Sequence, residues 1–215
     1  MEKRDVIETV ASNRDRLLSL SHTLWETPEL ALEETESSSL LVECLADAGF
    51  EVTTGIGGMP TAFEARYGEG APTIGILGEY DALPGLSQAV SATREPVEAG
   101  GAGHGCGHNL LAVGSLGGAL AVKEAIESGD IDGTIVYYGC PAEETLVGKV
   151  FMARAGAFDD ADAALAWHPS DLTSPFMGET LAMNSLQYEF TGESAHAANS
   201  PASGRSAVDA VQLMN

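Results

Sequence analysis

The sequence predicts an α/β fold in which a mostly parallel sheet is flanked by helices, followed by the start of a smaller α+β domain. Short apolar runs alternate with helical segments along the chain, which is the pattern of this fold class. Polar residues with catalytic potential follow the ends of those runs, at the sheet edge where α/β proteins bind ligands. The 215 residues, 44% of them hydrophobic, suffice for one large core and part of a second.

Two helices are predicted at the beginning of the chain. Apolar residues recur at helical spacing over residues 5–25, and Pro28 closes the segment. A second helix is predicted over residues 33–48, with Gly49 as its C-terminal stop. Both have one apolar face, so each is expected to pack against a sheet or another helix.

Strands and a long loop are predicted next. Residues 61–67 alternate between apolar and polar side chains, as in a half-exposed strand, and residues 73–77 form the short apolar run of a buried one. Residues 80–107 are rich in glycine, serine, proline and alanine. Loops of that length in compact domains are usually functional.

The central part of the chain continues the alternation of helix and strand. Helices are predicted over residues 110–128 and 148–157, and strands over 133–139 and 161–167. This succession is the observation from which we infer a parallel sheet covered on both faces.

The last part of the chain predicts the beginning of a second domain. An alternating run over residues 185–190 predicts a strand, and a helix is predicted from near Ser203. One strand and one helix cannot bury both of their faces. We therefore expect residues 1–182 to form one domain and 183–215 to begin another, whose remainder lies outside this sequence.

The charge balance excludes some classes of partner. Asp and Glu number 32 and Lys and Arg 10, so the formal net charge is −22. No basic stripe exists to neutralise phosphates, which argues against nucleic acid and anionic membranes as partners. The acids, including Glu33, Glu34 and Glu36, are interpreted as a solvated surface rather than an acidic docking patch. Because salt screens such repulsion, a salt-loving source is a hypothesis.

Cysteine usage and the first residues indicate a compartment. The three cysteines are an odd number and lie far apart, which favours reduced thiols over a disulfide framework. The polar N-terminal segment does not resemble a signal peptide, and no uninterrupted apolar run reaches the length of a membrane span. We expect a cytoplasmic protein.

Residues that can bind metals or transfer protons fall at one edge of the predicted sheet. They follow the strand ends or precede the helix that starts after the long loop. They are Asp81, Cys106, His108, the pair Glu143 and Glu144, and His168. Thiolate, imidazole and carboxylate groups are ligands for Zn²⁺, and Mn²⁺ accepts the carboxylates. Adjacent glutamates suit metal-dependent hydrolysis, because one can bind the cation while the other takes a proton from water.

Other interpretations of these residues remain open. Taken singly, Glu143 and Glu144 are ordinary solvated acids and His168 is an ordinary core histidine. Cys106 could be a nucleophile with His104 or His108 as its base, although Glu143, Glu144 and His168 would then have no role. A zinc deaminase is disfavoured because its H-x-E and P-C-x-x-C motifs are absent.

Five motifs resemble a known family. GEYDALPGLSQ, GHGCGHNLL, YGCPAEET, AWHP and AHAANSPASGRSAVDA are similar to segments of the co-catalytic metallo-aminoacylase and carboxypeptidase family, in its amidohydrolase branch of hippurate and auxin-conjugate hydrolases. The resemblance extends from about residue 10 to Asn215. It implies a catalytic α/β domain that holds two divalent metal ions, Mn²⁺ or Zn²⁺, with an inserted dimerisation or lid domain.

The resemblance also implies roles for individual residues. Cys106, His108, Glu144 and His168 would be metal ligands, and Glu143 the general base that activates water and then protonates the leaving amine. Asp81 would orient a ligand, and His196 would reach across a dimer to stabilise the oxyanion. The implied substrate is an N-acyl amino acid such as p-aminobenzoyl-glutamate, and the implied assembly is a homodimer or hetero-oligomer formed through the lid domain.

Two departures from the family pattern affect these expectations. Asn109 stands where the branch usually has Asp. A final histidine ligand and the rest of the lid lie beyond the matched segment, so this chain alone is not expected to complete the family's site. The alternative to an amidohydrolase is therefore a truncated, non-catalytic remnant, or a subunit that needs a partner chain.

Overall fold

The described residues form two compact units. The computed structural model describes residues 3–175, 178–179 and 181–214. The units divide between Asp171 and Leu172. The predicted domain boundary, between residues 182 and 183, lies farther along the chain and stays a prediction.

The first unit is built on a five-stranded sheet with the order β1-β2-β4-β3-β5. The strands are β1 (Glu51–Thr54), β2 (Phe63–Glu69), β3 (Thr73–Glu79), β4 (Gly133–Cys140) and β5 (Ala163–Leu165). β3 runs parallel to β4 and β5, whereas β2 is antiparallel to β1 and β4. The α/β class is confirmed, with a mixed sheet. β1 was not predicted because its sequence, EVTT, is short and largely polar.

Helices cover both faces of the sheet. They are α1 (Lys3–Ser12), α2 (Arg14–Glu26), α3 (Thr35–Asp47), α4 (His108–Glu127) and α5 (Gly148–Arg154). The single helix predicted over residues 5–25 is interrupted at Asn13, whose side-chain amide donates to the Thr9 carbonyl oxygen at 2.9 Å. Such local bonds from Asn to the backbone compete with helix continuation.

The sheet separates a large core from a small one because successive residues of a strand point to opposite faces. Ile135 and Tyr137 of β4 pack into the core formed with α2, α3 and α4. Val136 and Tyr138 pack with Met152 of α5 on the other face. The carboxyl end of β4 is thereby fixed from both sides, and the residues that follow it start from a rigid point.

α4 is the central helix of the first unit. Most of its residues are buried against the sheet and α2. The helix is long and apolar enough to cross a bilayer. That is weak evidence for a membrane span, because core helices of soluble proteins have the same length and composition. Its burial, 61% of that apolar window, identifies it as a core helix.

The second unit contains little regular structure. Its helix is α6 (Ala207–Met214), preceded by a short 3₁₀ turn at Pro201–Ser203 and an isolated bridge between Glu193 and Arg205. The strand predicted over residues 185–190 is wrong for the described structure, in which those residues have no regular secondary structure. An alternating segment becomes a strand only where another segment accepts its backbone hydrogen bonds, and none of the described residues does so here.

Candidate metal centre

A glycine-rich turn places Cys106 and His108 at the carboxyl edge of the sheet. Gly107 precedes α4 with a φ of +80°, in the left-handed region that glycine adopts without strain. A Cβ at this position would also lie 2.9 Å from Pro169, which follows β5. The glycine thus reverses the chain and lets the segment after β5 approach the start of α4.

His108 presents one nitrogen lone pair to the site. Its Nδ1 lies 2.9 Å from Asp81 Oδ1 and 3.0 Å from the Asp81 carbonyl oxygen. Because a carbonyl oxygen only accepts, Nδ1 carries the proton and Nε2 is left with a lone pair. His108 is fully buried, and Nε2 has no hydrogen-bond partner among the described residues. A buried lone pair without a donor is what a metal ligand presents.

His168 is oriented in the same way. Its Nδ1 donates to the Pro169 carbonyl oxygen at 2.9 Å, so the lone pair is again on Nε2. That nitrogen lies 3.3 Å from Cys106 Sγ. The ligand atoms of Cys106, His108 and His168 all lie within 4.8 Å of one another. The structure therefore brings together three of the four predicted ligands.

The acidic pair follows β4 and faces the same point. The backbone N–H of Glu144 donates to Asp81 Oδ2 at 2.9 Å, so Asp81 holds both His108 and this loop. Glu144 Oε1 is buried without a partner among the described residues. Glu143 Oε2 lies 3.7 Å from His108 Nε2. Asp81 therefore has the geometry of an orienting residue.

Glu79 is an additional acidic residue at the centre that the sequence did not single out. It ends β3, is only 7% exposed, and places Oε2 3.5 Å from His108 Nε2. Its other oxygen pairs with Lys149 Nζ at 2.6 Å. Glu79, His108 and Glu143 form a second group of ligand atoms within 4.8 Å of one another. In the sequence, Glu79 could have been recognised as a carboxylate at the end of an otherwise apolar strand.

The pKa shifts show that negative charge is concentrated at this point. Burial and the carboxylates of Glu144, Glu143 and Glu79 raise the pKa of the Cys106 thiol to about 11. Burial and the nearby Glu79 carboxylate raise the pKa of Glu143. Burial alone would lower the pKa of His108, but the Asp81 carboxylate and then Glu79 raise it. Each shift disfavours further negative charge, which a cation would relieve.

The donor set fits a divalent cation. Thiol, imidazole and carboxylate atoms of Cys106, His108, His168, Glu79 and Glu143 converge. His108 Nε2, and Glu144 Oε1 on the adjacent loop, are buried without partners among the described residues. Such a set suits Zn²⁺ or Mn²⁺. The same charges argue against Cys106 as an unassisted nucleophile, because a thiol with a pKa of about 11 is protonated at neutral pH.

The other singled-out residues lie around the centre. His104 is buried, with Nε2 3.0 Å from the Leu24 carbonyl oxygen, and has a structural role. Asn109 is buried and donates to Ser21 Oγ of α2 at 3.2 Å. Having Asn instead of Asp at this position therefore affects the contact with α2. A cavity of about 760 Å³ opens beside Cys106, with Trp25 in its wall. It can receive a substrate side group.

His196 belongs to the second unit. Its Nδ1 accepts hydrogen bonds from the backbone N–H groups of Ala198 and Asn199, at 3.2 and 3.1 Å. The proton of the neutral ring is therefore on Nε2, which points to hydrogen-bond donation by that nitrogen. Its role toward a substrate stays a prediction.

Comparison with known proteins places these features in a family. The profile of peptidase family M20/M25/M40 matches residues 75–212, which include every predicted site residue. The chain belongs to this family. Over 212 residues, this M20-family chain is 47% identical to one of the subunits of p-aminobenzoyl-glutamate hydrolase from Escherichia coli K12, covering 98% of the chain and 44% of the relative.

Two further comparisons agree with that assignment. The chain is 33% identical to Xaa-Arg dipeptidase of Mus musculus, covering 98% of the chain and 48% of the relative. A Bacillus subtilis protein described as a dinuclear metal binding peptidase from the M20 family superimposes with a TM-score of 0.65 at 25% identity, covering 74% of this chain and 44% of that one. The M20-family chain thus spans about half the length of these relatives.

Proposed function

We propose that this chain carries the metal-binding part of an amidohydrolase that cleaves the amide bond of an N-acyl amino acid such as p-aminobenzoyl-glutamate. The observation that carries the proposal is the convergence of Cys106, His108 and His168 on one point, with the acidic pair beside them. Membership of the M20 family and the 47% identity to a component of the E. coli p-aminobenzoyl-glutamate hydrolase support the reaction class and the substrate.

Two divalent ions, Mn²⁺ or Zn²⁺, are the proposed cofactors. Cys106, His108, Glu144 and His168 would hold them, and Glu79 stands close enough to take part. Bound there, such ions would polarise the amide carbonyl and acidify water. The dinuclear state is supported by the description of the B. subtilis neighbour.

Glu143 is the proposed general base. Its carboxylate accepts a proton from water as the water oxygen adds to the amide carbonyl carbon. It returns that proton to the amine nitrogen as the C–N bond breaks, so the products are a carboxylic acid and a free amino acid. Burial and the Glu79 carboxylate raise the pKa of Glu143, and a higher pKa makes its carboxylate a stronger base toward water.

We further propose that His196 and residues 183–215 act in a lid or dimerisation domain. His196 would donate its Nε2–H to the oxyanion, as its local hydrogen bonds allow. The E. coli relative is named as one subunit of its hydrolase, which supports a hetero-oligomer, and a homodimer is the other assembly. Sedimentation of the purified chain with and without metal would distinguish a homodimer from a monomer.

The decisive experiment combines metal analysis with turnover. The purified chain is loaded with Mn²⁺ or Zn²⁺, its metal content is measured, and hydrolysis of p-aminobenzoyl-glutamate and hippurate is assayed. Glu143→Gln should retain metal and lose turnover, whereas Glu124→Gln, an exposed acid on α4, should behave as wild type. Less than one metal per chain without turnover contradicts the proposal. Stoichiometric metal without turnover favours the second candidate, a subunit that needs a partner chain.

We also propose a reducing, cytoplasmic and salt-rich setting. All three cysteines are free thiols, and the net charge of −22 is large for this length. Screening reduces the self-repulsion, since the Debye length falls from about 10 Å at 0.1 M salt to about 3 Å at 1 M. Unfolding midpoints that do not rise between these concentrations contradict the salt-loving source. We propose no nucleic-acid or membrane partner.

A further inference from the structure

The loop that carries the acidic pair has an unfavourable backbone conformation. Ala142, directly before Glu143 and Glu144, has a φ of +54°, in the left-handed region that residues with a Cβ rarely adopt. Such a conformation persists only where surrounding contacts impose it. The position of both glutamates depends on this residue, because its φ sets the direction in which the chain leaves β4.

A buried contact to Ala142 comes from Glu34, a residue 0% exposed that contributes no ligand atom to the metal centre. Glu34 Oε1 accepts the backbone N–H of Ala142 at 2.8 Å and that of Leu32 at 2.9 Å. Its Oε2 accepts the hydroxyl of Thr61 at 3.0 Å. Leu32 also has a left-handed φ, of +68°. One carboxyl group thus joins the segments before α3, before β2 and after β4.

A second support holds the other end of the same loop. Asp81 Oδ2 accepts the backbone N–H of Glu144 at 2.9 Å. Glu143 therefore lies between two fixed backbone amides, that of Ala142 held by Glu34 and that of Glu144 held by Asp81. Of the two, Asp81 also contacts the ligand His108, whereas the hydrogen-bond partners of the Glu34 carboxyl group are Leu32, Thr61 and Ala142.

We propose that Glu34 is a positioning residue of the metal centre, whose buried carboxyl group holds the Glu143–Glu144 loop in its metal-binding conformation. The inference rests on the proposed function only in taking the cluster to bind a divalent cation. The side chain at residue 34 must meet a specific set of hydrogen-bond partners. Oε1 must accept two N–H groups, but the Oε2 position faces a hydroxyl, which can donate or accept. An amide that turns its oxygen toward Ala142 and its NH₂ toward Thr61 meets that requirement.

The test compares Glu34→Gln with Glu34→Leu, using Co²⁺ alone as the probe. The Co²⁺ dissociation constant is measured on the full chain from the thiolate-to-cobalt absorption band that Cys106 would give. We expect Glu34→Gln to bind within twofold of wild type and Glu34→Leu to bind about 10- to 100-fold more weakly, the range for residues that orient metal ligands. Amide hydrogen exchange at Ala142 should accelerate in Glu34→Leu and not in Glu34→Gln.

The matched control is Glu29→Leu. Glu29 also uses its carboxylate on backbone N–H groups, those of Glu36 and Ser37 at 3.0 and 2.7 Å, but these lie at the start of α3. This variant should lower the unfolding midpoint without changing the Co²⁺ dissociation constant, which separates loop positioning from general destabilisation.

Each outcome is decisive. Wild-type affinity in Glu34→Leu overturns the inference, and so does an equal loss in Glu34→Gln, which would assign the effect to charge. If Glu34→Leu does not fold, Glu34→Asp replaces it: the charge stays but the oxygen is withdrawn by one methylene, so a loss of about tenfold is expected. Wild-type affinity in that variant also overturns the inference. Failure of the wild-type chain to bind Co²⁺ instead refutes the proposed function.

Discussion

The substitution Asp81→Asn should disable the metal centre although it changes one oxygen to nitrogen. Both oxygens of Asp81 accept a hydrogen bond from an N–H group, Oδ1 from His108 Nδ1 and Oδ2 from the backbone of Glu144, each at 2.9 Å. An amide has one acceptor and one donor end. Whichever way it turns, one N–H group of the protein faces another.

Both orientations of the amide weaken metal binding. With its NH₂ toward Glu144, the buried backbone N–H of that residue loses its acceptor and the loop is released. With its NH₂ toward His108, the amide faces the Nδ1–H that the Asp81 carbonyl oxygen still holds, so the ring is displaced from the orientation that presents Nε2 to the metal. Residues that orient metal ligands typically contribute 10- to 100-fold to affinity. We therefore expect a loss of about 1.4 to 2.7 kcal/mol in metal binding.

Competition with a chelator of known affinity measures this loss. The wild-type chain, Asp81→Asn and Asp162→Asn are titrated with Zn²⁺ under identical conditions. Asp162 is the matched control because its carboxylate receives one backbone N–H, from Thr73 at 2.8 Å, which an amide oxygen can also accept. Binding by Asp81→Asn within twofold of wild type would refute the reasoning, since one acceptor at residue 81 would then suffice.

Three further predictions concern stability. Burial lowers the pKa of His104 from 6.5 to about 4. Below pH 6.5 the unfolded chain takes up a proton that the folded chain does not. The free energy of unfolding is therefore full above pH 6.5 and decreases until the pH has fallen through 4. The loss is roughly 3 kcal/mol, and His104→Gln should flatten the pH dependence of denaturant unfolding; an unchanged slope contradicts this. Lys149→Met leaves the Glu79 carboxylate unpaired and should lower the free energy of unfolding by about 1–3 kcal/mol, less than for a fully buried pair because Lys149 is partly exposed. Adding Glu79→Gln should restore the lost stability. Gly139→Ala would place a Cβ 2.2 Å from the Phe63 ring and should cost about 1–3 kcal/mol in thermal unfolding, whereas an unshifted midpoint would show that the ring moves freely.

The fold class was predictable because most elements carry an unambiguous period or end signal. α4 is the clearest case: the sequence predicts a helix over residues 110–128, and the structure has His108–Glu127. The exact start could not be read from periodicity, since it depends on the left-handed Gly107. Residues 185–190 illustrate the limit of periodicity, because a strand requires a partner that its own sequence does not specify.

The site was predictable where its residues stand out chemically, and not where they resemble the rest of an acidic chain. Cys106 and His108 drew attention as rare residues in a glycine-rich turn. Glu34, by contrast, is one of 32 acids and was interpreted as solvated surface, yet it is fully buried. Glu79 likewise does not stand out from the other acids in the sequence. Burial of an acid depends on donors supplied by distant segments, such as Thr61 and Ala142 for Glu34, and local sequence does not show them.

The metal centre is therefore specified by its hydrogen-bond supports as much as by its ligands. Glu34 and Asp81 are both buried carboxyl groups that hold the Glu143–Glu144 loop, yet the same change from acid to amide should have opposite results at the two positions. At residue 34 the second oxygen faces the Thr61 hydroxyl, which can change from hydrogen-bond donor to acceptor. At residue 81 both oxygens face N–H groups, which cannot. The contrast follows from donor geometry alone, because the two substitutions remove the same charge from equally buried sites. A common loss at both positions would indicate that negative charge controls the centre, whereas a loss confined to Asp81 would indicate that acceptor placement does.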